Sequence, residues 1–219
     1  MVTAVVLACV LDPIAQRDGI VIHQLPRRPG KDEVDPILAE LDGRRLIVAG
    51  TDADLAAVVL RLLRGERLGS VDLGYLPSSA DSVTARLWHL PRTPATALEL
   101  ALHAPVRPVP LVRDDNGGVL LGAGTISALD GVAYCDDTRV LSGPAKQLRV
   151  TPDPAGLRVT VTHKGILRRS GPSATGRACQ IGGELPEVVS DGVPHGRPMP
   201  RWSWYRHTED LRLVRPEFR

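Results

Sequence analysis

The sequence is poor in aromatic residues, with three Trp, three Tyr and one Phe among 219. A core must therefore be filled by Val, Leu, Ala and Ile, and there are few platforms on which single-stranded nucleic acid could stack. Nor does one sign of charge dominate: 27 Lys and Arg stand against 25 Asp and Glu, a net charge of +2, and the basic residues are scattered. Both features argue against nucleic acid as a partner. No apolar run approaches the ~20 residues of a membrane-spanning helix. Residues 1–10 are apolar, but no basic stretch precedes them and Asp12 and Pro13 follow at once, so they read as a buried first strand rather than a targeting segment or an integral membrane segment. Cysteines are few as well. Cys9, Cys135 and Cys179 lie far apart with no CxxC or Cys/His ligand spacing, which reads as reduced thiols of a cytoplasmic protein and no metal site.

What is present is ordinary globular composition, 43% hydrophobic and 24% charged, in a chain long enough for one large or two small domains. The first half alternates apolar runs with helical patterns, the signature of βαβ units on a parallel sheet. Strands are expected at 3–10, 19–23, 45–49 and 70–76, and helices at 32–41, from 54 to a stop at Gly65, at 81–89, and from the Thr93-Pro94 cap to about 103. After Pro105, Pro108 and Pro110 the texture changes to short strand-like segments at 119–121, 140–141, 148–150, 157–163 and 178–181. Asp115-Asn116-Gly117-Gly118 signals a hairpin, because these residues tolerate positive φ. The expected organisation is a Rossmann-like α/β domain over 1–106, an antiparallel β-sandwich-like domain over 107–205, and a C-terminal segment, 206–219, that returns to the first domain.

Residues 45–63, RLIVAGTDADLAAVVLRLL, resemble the phosphate-binding segment of the diacylglycerol kinase catalytic-domain family, relatives of the NAD kinases, in which a hydrophobic strand leads through GGDGT into a helix. Gly50 matches the first glycine and Asp52 the aspartate. Thr51, Ala53 and Asp54 stand where the second glycine, the third glycine and the threonine would be. Leu76-Pro77 and Leu90-Pro91 bracket a segment as long as the family's LPLGTxNDFARxLGLP. Ala85 and Arg86 agree within it, while Ser79, Ala80, Asp81, Ser82 and Val83 replace its GTxND. Val188-Val189-Ser190-Asp191-Gly192 looks like the family's late aspartate-glycine motif, with Val193 in place of the usual glutamate. The opening Asn-Pro-x-x-Gly loop has its nearest match in Leu11-Asp12-Pro13.

The resemblance implies an NAD kinase/diacylglycerol kinase-like fold whose nucleotide and lipid site lies between the two domains. By carry-over, Gly50, Thr51, Asp54, Ser79 and Ser82 mark the ancestral nucleotide site, and Asp52 and Asp191 the catalytic groups of an active enzyme. The replacements speak against that activity. Thr51 and Ala53 add Cβ atoms where glycines allow close approach, and a carboxylate ~4 Å from a phosphate charge would cost about 4 kcal/mol at an effective dielectric of 20. The first expectation is therefore a diacylglycerol kinase-like protein with a degenerate ATP site and no cofactor, serving as a binding or regulatory module for a lipid or an anionic small molecule. The alternative is an active lipid kinase using ATP and Mg²⁺, with Asp52 and Asp54 sharing the metal and Asp191 assisting the acceptor hydroxyl. Helix capping by Asp52 and Asp54 is the competing structural reading.

Other patterns carry less. Residues 194–207 hold Trp202, Trp204 and several arginines, which reads as a prolyl crossing segment docking its indoles on the core, or as a clamp for an anionic headgroup. Asp191 and His195 form no hydrolase constellation without a nucleophile elbow. Asp114-Asp115 and Asp136-Asp137 read as turns. Edge strands rich in Val and Leu leave a homodimer open.

Overall fold

A computed structural model of the chain describes residues 3–10, 14, 16–163 and 173–217. Leu11-Asp12-Pro13 lies outside the described residues. The chain divides into two units, Met1–Val109 with Glu209–Arg219, and Pro110–Thr208.

The first unit is built on four parallel strands: β1 (Ala4–Ala8), β2 (Ile20–Gln24), β3 (Arg45–Gly50) and β4 (Leu73–Pro77), in the order β2-β1-β3-β4. The continuous apolar runs of β1 and β3 are buried along nearly their whole length, as strands covered on both faces must be. Helix α1 (Lys31–Ala39) connects β2 to β3 and α2 (Asp52–Arg64) connects β3 to β4. Both connections cross the sheet in the same direction, so right-handed crossover places both helices on one face. Leu55, Val58, Val59 and Leu62 recur at helical spacing and are fully buried there. The Arg61 guanidinium donates to both oxygens of Asp35 at 2.8 and 2.7 Å, tying α2 to α1. After β4 come a short helix, α3 (Val83–Leu87), and α4 (Pro94–His103), whose Ala97, Leu98 and Ala101 pack with Ile47, Ala49 and Leu76 on the opposite face. The C-terminal segment belongs to this unit: Leu213 bridges Leu73 in parallel, while Leu211 and Val214 bridge Val109 and Val106.

The second unit is wholly antiparallel. Its strands are β5 (Val112–Asp114), β6 (Val119–Leu120), β7 (Gly124–Ser127), β8 (Asp130–Cys135), β9 (Thr138–Pro144) and β10 (Gln147–Asp153). They continue with β11 (Gly156–Thr162), β12 (Ser173–Gly176), β13 (Ala178–Leu185), β14 (Val188–Ser190), β15 (Val193–Pro194) and β16 (Met199–Arg206). Two six-stranded sheets result, β12-β11-β10-β7-β14-β15 and β6-β5-β16-β13-β8-β9. Leu148 and Val150 of one sheet, and Ile181 and Trp204 of the other, share a single core. This is the α/β plus β-sandwich class expected. Trp204 is fully buried, and a Cβ on Gly124 would sit 2.5 Å from its indole, so only glycine admits the ring at that point.

The hairpin at 115–118 forms, joining β5 to β6, with Asp114 accepting N–H bonds from Asn116 and Gly118. The segment at 194–207 departs from the reading as a crossing. Its indoles are buried, but Met199–Arg206 is a strand between β5 and β13. Pro200 is tolerated because the β13–β16 register shifts between Gly182, opposite Arg201, and Leu185, opposite Met199. No ladder N–H is required of the proline in such a bulge.

Candidate functional site

The turn from β3 into α2 places Thr51 as N-cap, Asp52 as the first helical residue and Asp54 as the third. A capping box closes it. The Asp54 carboxylate accepts from the Thr51 N–H at 2.8 Å and the Thr51 hydroxyl at 2.7 Å, while the Asp54 N–H reaches back to Thr51 Oγ1 at 3.4 Å. Two further donors come from the loop after β2. The Arg28 N–H donates to Asp54 Oδ1 at 2.8 Å, and Arg27 Nε lies 3.0 Å from Oδ2. Arg28 adopts a φ of 50° to do so, and Arg27 Nη2 also donates to Thr51 Oγ1 at 3.2 Å. Asp54 is fully buried. Burial by itself would raise its pKa, but the N–H groups of Thr51 and Arg28, the Thr51 hydroxyl and Arg27 outweigh burial and hold the carboxyl below its ordinary range. Gly50 makes room for this: a Cβ there would meet the Cβ and Oδ2 of Asp54 at 2.8 Å.

Asp52 takes different partners. Its Oδ1 accepts from the Tyr75 hydroxyl at 2.9 Å and the Ser82 hydroxyl at 2.6 Å, and its Oδ2 from the N–H groups of Val83 and Thr84 at 2.8 and 3.2 Å. Asp52 thus fastens the start of α2 to the start of α3, where Ser82 is the N-cap and accepts from the Ala85 N–H at 3.0 Å. Ser79 is exposed, and its hydroxyl accepts from the Asp81 N–H. Gly50, Thr51, Asp52, Asp54 and Ser82 are therefore brought into one hydrogen-bonded array, with Ser79 at its margin.

Asp191 lies in the second unit, at the two-residue turn between β14 and β15. The φ values of Asp191 and Gly192, 50° and 82°, suit a primed turn. Its carboxylate is buried and accepts the N–H groups of Leu121, Gly122 and Ala123 at 2.8, 2.7 and 3.0 Å. Among the described residues no group of three His, Cys, Asp or Glu is arranged to hold a metal ion, and no helix is long and apolar enough to cross a membrane.

No protein-family model and no curated protein matches the sequence. Solved structures do. A diacylglycerol kinase from Bacillus anthracis superposes with a TM-score of 0.70 at 14% identity, over 98% of this chain and 97% of that one. An NAD kinase from Archaeoglobus fulgidus, in complex with ATP, gives a TM-score of 0.60 at 13% identity, over 98% and 94%. The chain has the diacylglycerol kinase and NAD kinase fold.

Within that kinase-like fold, sequence reading missed Arg27 and Arg28, the outside partners of Asp54. They belong to the loop between β2 and α1, and no local pattern announces a partner 26 or 27 residues away. The positive φ of Arg28 carries no sequence signal either, since Arg is not a residue that favours it. Cys9 is also close to this array. Burial first, and then the Asp54 charge, push its thiol up to about 12, with Arg27 opposing, so it is not a nucleophile near neutral pH.

Proposed function

We propose that this chain is a diacylglycerol kinase-like protein that binds rather than phosphorylates, with a degenerate ATP site and a lipid or other small anion as its ligand. The observation that carries the reading is the buried Asp54 carboxylate. It occupies the crook of the β3–α2 turn and takes the Thr51 N–H, the Thr51 hydroxyl, the Arg28 N–H and Arg27, donors of the kind a phosphate oxygen would need. A nucleotide phosphate does not fit the turn as it stands, because it would have to displace an ion already paired and hydrogen-bonded inside the protein. Asp52, the residue matching the motif aspartate, is likewise committed to Tyr75, Ser82 and the α3 amides.

Calorimetric titration with ATP and Mg²⁺ tests this. No heat of binding is expected for the native chain, and micromolar binding abolished by Asp52→Ala would overturn the reading. Restoring the glycines and the threonine together, Thr51→Gly, Ala53→Gly and Asp54→Thr, is expected to open the turn and raise nucleotide affinity from its native level. A second reading, an active ATP- and Mg²⁺-dependent lipid kinase, is favoured by one observation, the ATP held by the archaeal NAD kinase of the same fold. The native titration separates the two.

A further inference from the structure

The two faces of the parallel sheet are covered by different kinds of chain: α1 and α2 pack on one, and α4 on the other. The step from β1 to β2 runs in the direction opposite to the other two, and of the described residues between these strands Val10 and Ile14 pack with α4 on its face of the sheet. Parallel neighbours are usually joined through a helix. Here residues 9–19 make the connection, and the described ones among them contain no helix. Among the described residues α4 packs on that face together with Val10 and Ile14, and at the C-terminal ends of β1, β3 and β4 there is a cavity of about 420 Å³. This is within the roughly 300–1,000 Å³ usual for small-molecule sites, and it lies where open α/β sheets take their ligands, beyond the strand ends and beside the reversal of strand order at β1 and β3.

Its chemistry is two-sided. Val10, Ala49, Leu76 and Leu98 make an apolar wall, while among the described residues that line it Arg17 and Arg92 are the charged ones and none is acidic. Arg17 is engaged by Glu99. Arg92 is exposed, with no hydrogen bond or ion pair to any described residue, so one guanidinium is left uncompensated. The adjoining first turn of α4 adds to this, having no acidic residue and no side-chain cap.

We propose that this cavity binds a single-chain anionic amphiphile, an unbranched acyl chain ending in a carboxylate, with the chain against Val10, Ala49, Leu76 and Leu98 and the head at Arg92. One free cation matches one negative charge, and the apolar wall matches the chain. The proposal rests on the reading that the protein binds its ligand rather than phosphorylating it, and it places that ligand beside Ser79 rather than in the turn that Asp54 occupies.

Titration calorimetry of the full chain with sodium decanoate and dodecanoate, both below their micelle-forming concentrations, tests the site. Each buried methylene tightens binding by about fourfold, so dodecanoate is expected to bind roughly tenfold more tightly than decanoate. Arg92→Glu is expected to weaken both at least tenfold and to leave decanol unaffected. Ala95→Trp, which fills the mouth of the cavity from an exposed position on α4, is expected to abolish binding with the fold intact by circular dichroism. Absence of decanoate binding, equal affinity for decanol, equally tight binding of inorganic phosphate alone, or decanoate binding unchanged in Ala95→Trp would each overturn the site. Silence toward both ATP and decanoate overturns the cavity and leaves the closed turn standing. Binding of both overturns the closed turn and supports the cavity.

Discussion

Two helices begin at the C-terminal edge of the same parallel sheet, α2 directly after β3 and α4 some residues after β4, and their first turns are finished in opposite ways. At α2 the third helical residue folds its carboxylate back onto the cap, and the loop after β2 adds an N–H and a guanidinium. At α4 the cap hydroxyl of Thr93 goes to Thr96 Oγ1, no acid follows, and Arg92 stands unpaired among the described residues. One start carries its own anion and is sealed; the other has none and borders a cavity. The difference teaches that a helix start in this fold is not a ligand site by position alone. What decides is whether the chain supplies its own counterion.

The comparison breaks most readily at Gly50. Gly50→Val puts a side chain where Asp54 lies, and overpacking together with the lost cap should cost about 3 kcal/mol in urea unfolding. An unchanged midpoint would mean that Asp54 is not held in the turn. Asp54→Ala removes the carboxylate that closes the capping box and its charged hydrogen bonds, for an expected loss of about 2 kcal/mol.

The sign of the pH dependence sharpens the test. The Asp54 carboxyl is depressed in the folded state, so its contribution is complete above the unfolded value of about 3.9 and disappears as pH falls through the lower folded value. The stability gap between native protein and Asp54→Asn should therefore be constant from pH 7 to 5 and close below about pH 4. A gap that widens on acidification would contradict the lowered pKa. Smaller still is Arg27→Ala. The Arg27 side chain is 62% exposed, so a loss of about 0.5 kcal/mol, shrinking with added salt, is expected. Smallest is Arg92→Ala at the open start, with a change within about 0.5 kcal/mol; a larger loss would reveal a structural partner there.

Legibility followed the range of the interactions. The parallel strands were readable because runs such as VVLA and LIVA have a single stable use, burial on both faces, and α2 because its apolar residues recur at 3.6-residue spacing. The sandwich was readable as a class but only partly strand by strand. Strands β5, β7, β14 and β15, of two to four residues, are too brief for two-residue alternation to stand out. Strand β16 was hidden by Pro200, which argues against a central strand unless a bulge relieves it, and a bulge is visible only once the partner strand is in register. The motif positions Gly50, Asp52, Asp54, Ser82 and Asp191 could be picked out in the sequence. Where their side chains turn could not.

The sequence by itself determined that the chain would form an α/β unit followed by an antiparallel one, because hydrophobic periodicity and turn chemistry are local properties of the chain. It also determined that a carboxylate would stand at the β3–α2 turn. Only the tertiary structure decided where that carboxylate points, because its partners Arg27 and Arg28 arrive from another connection of the sheet. The same is true of the cavity on the α4 face, because Val10, Ala49, Leu76 and Leu98 come from separate stretches of the chain and meet only when the sheet and α4 are packed.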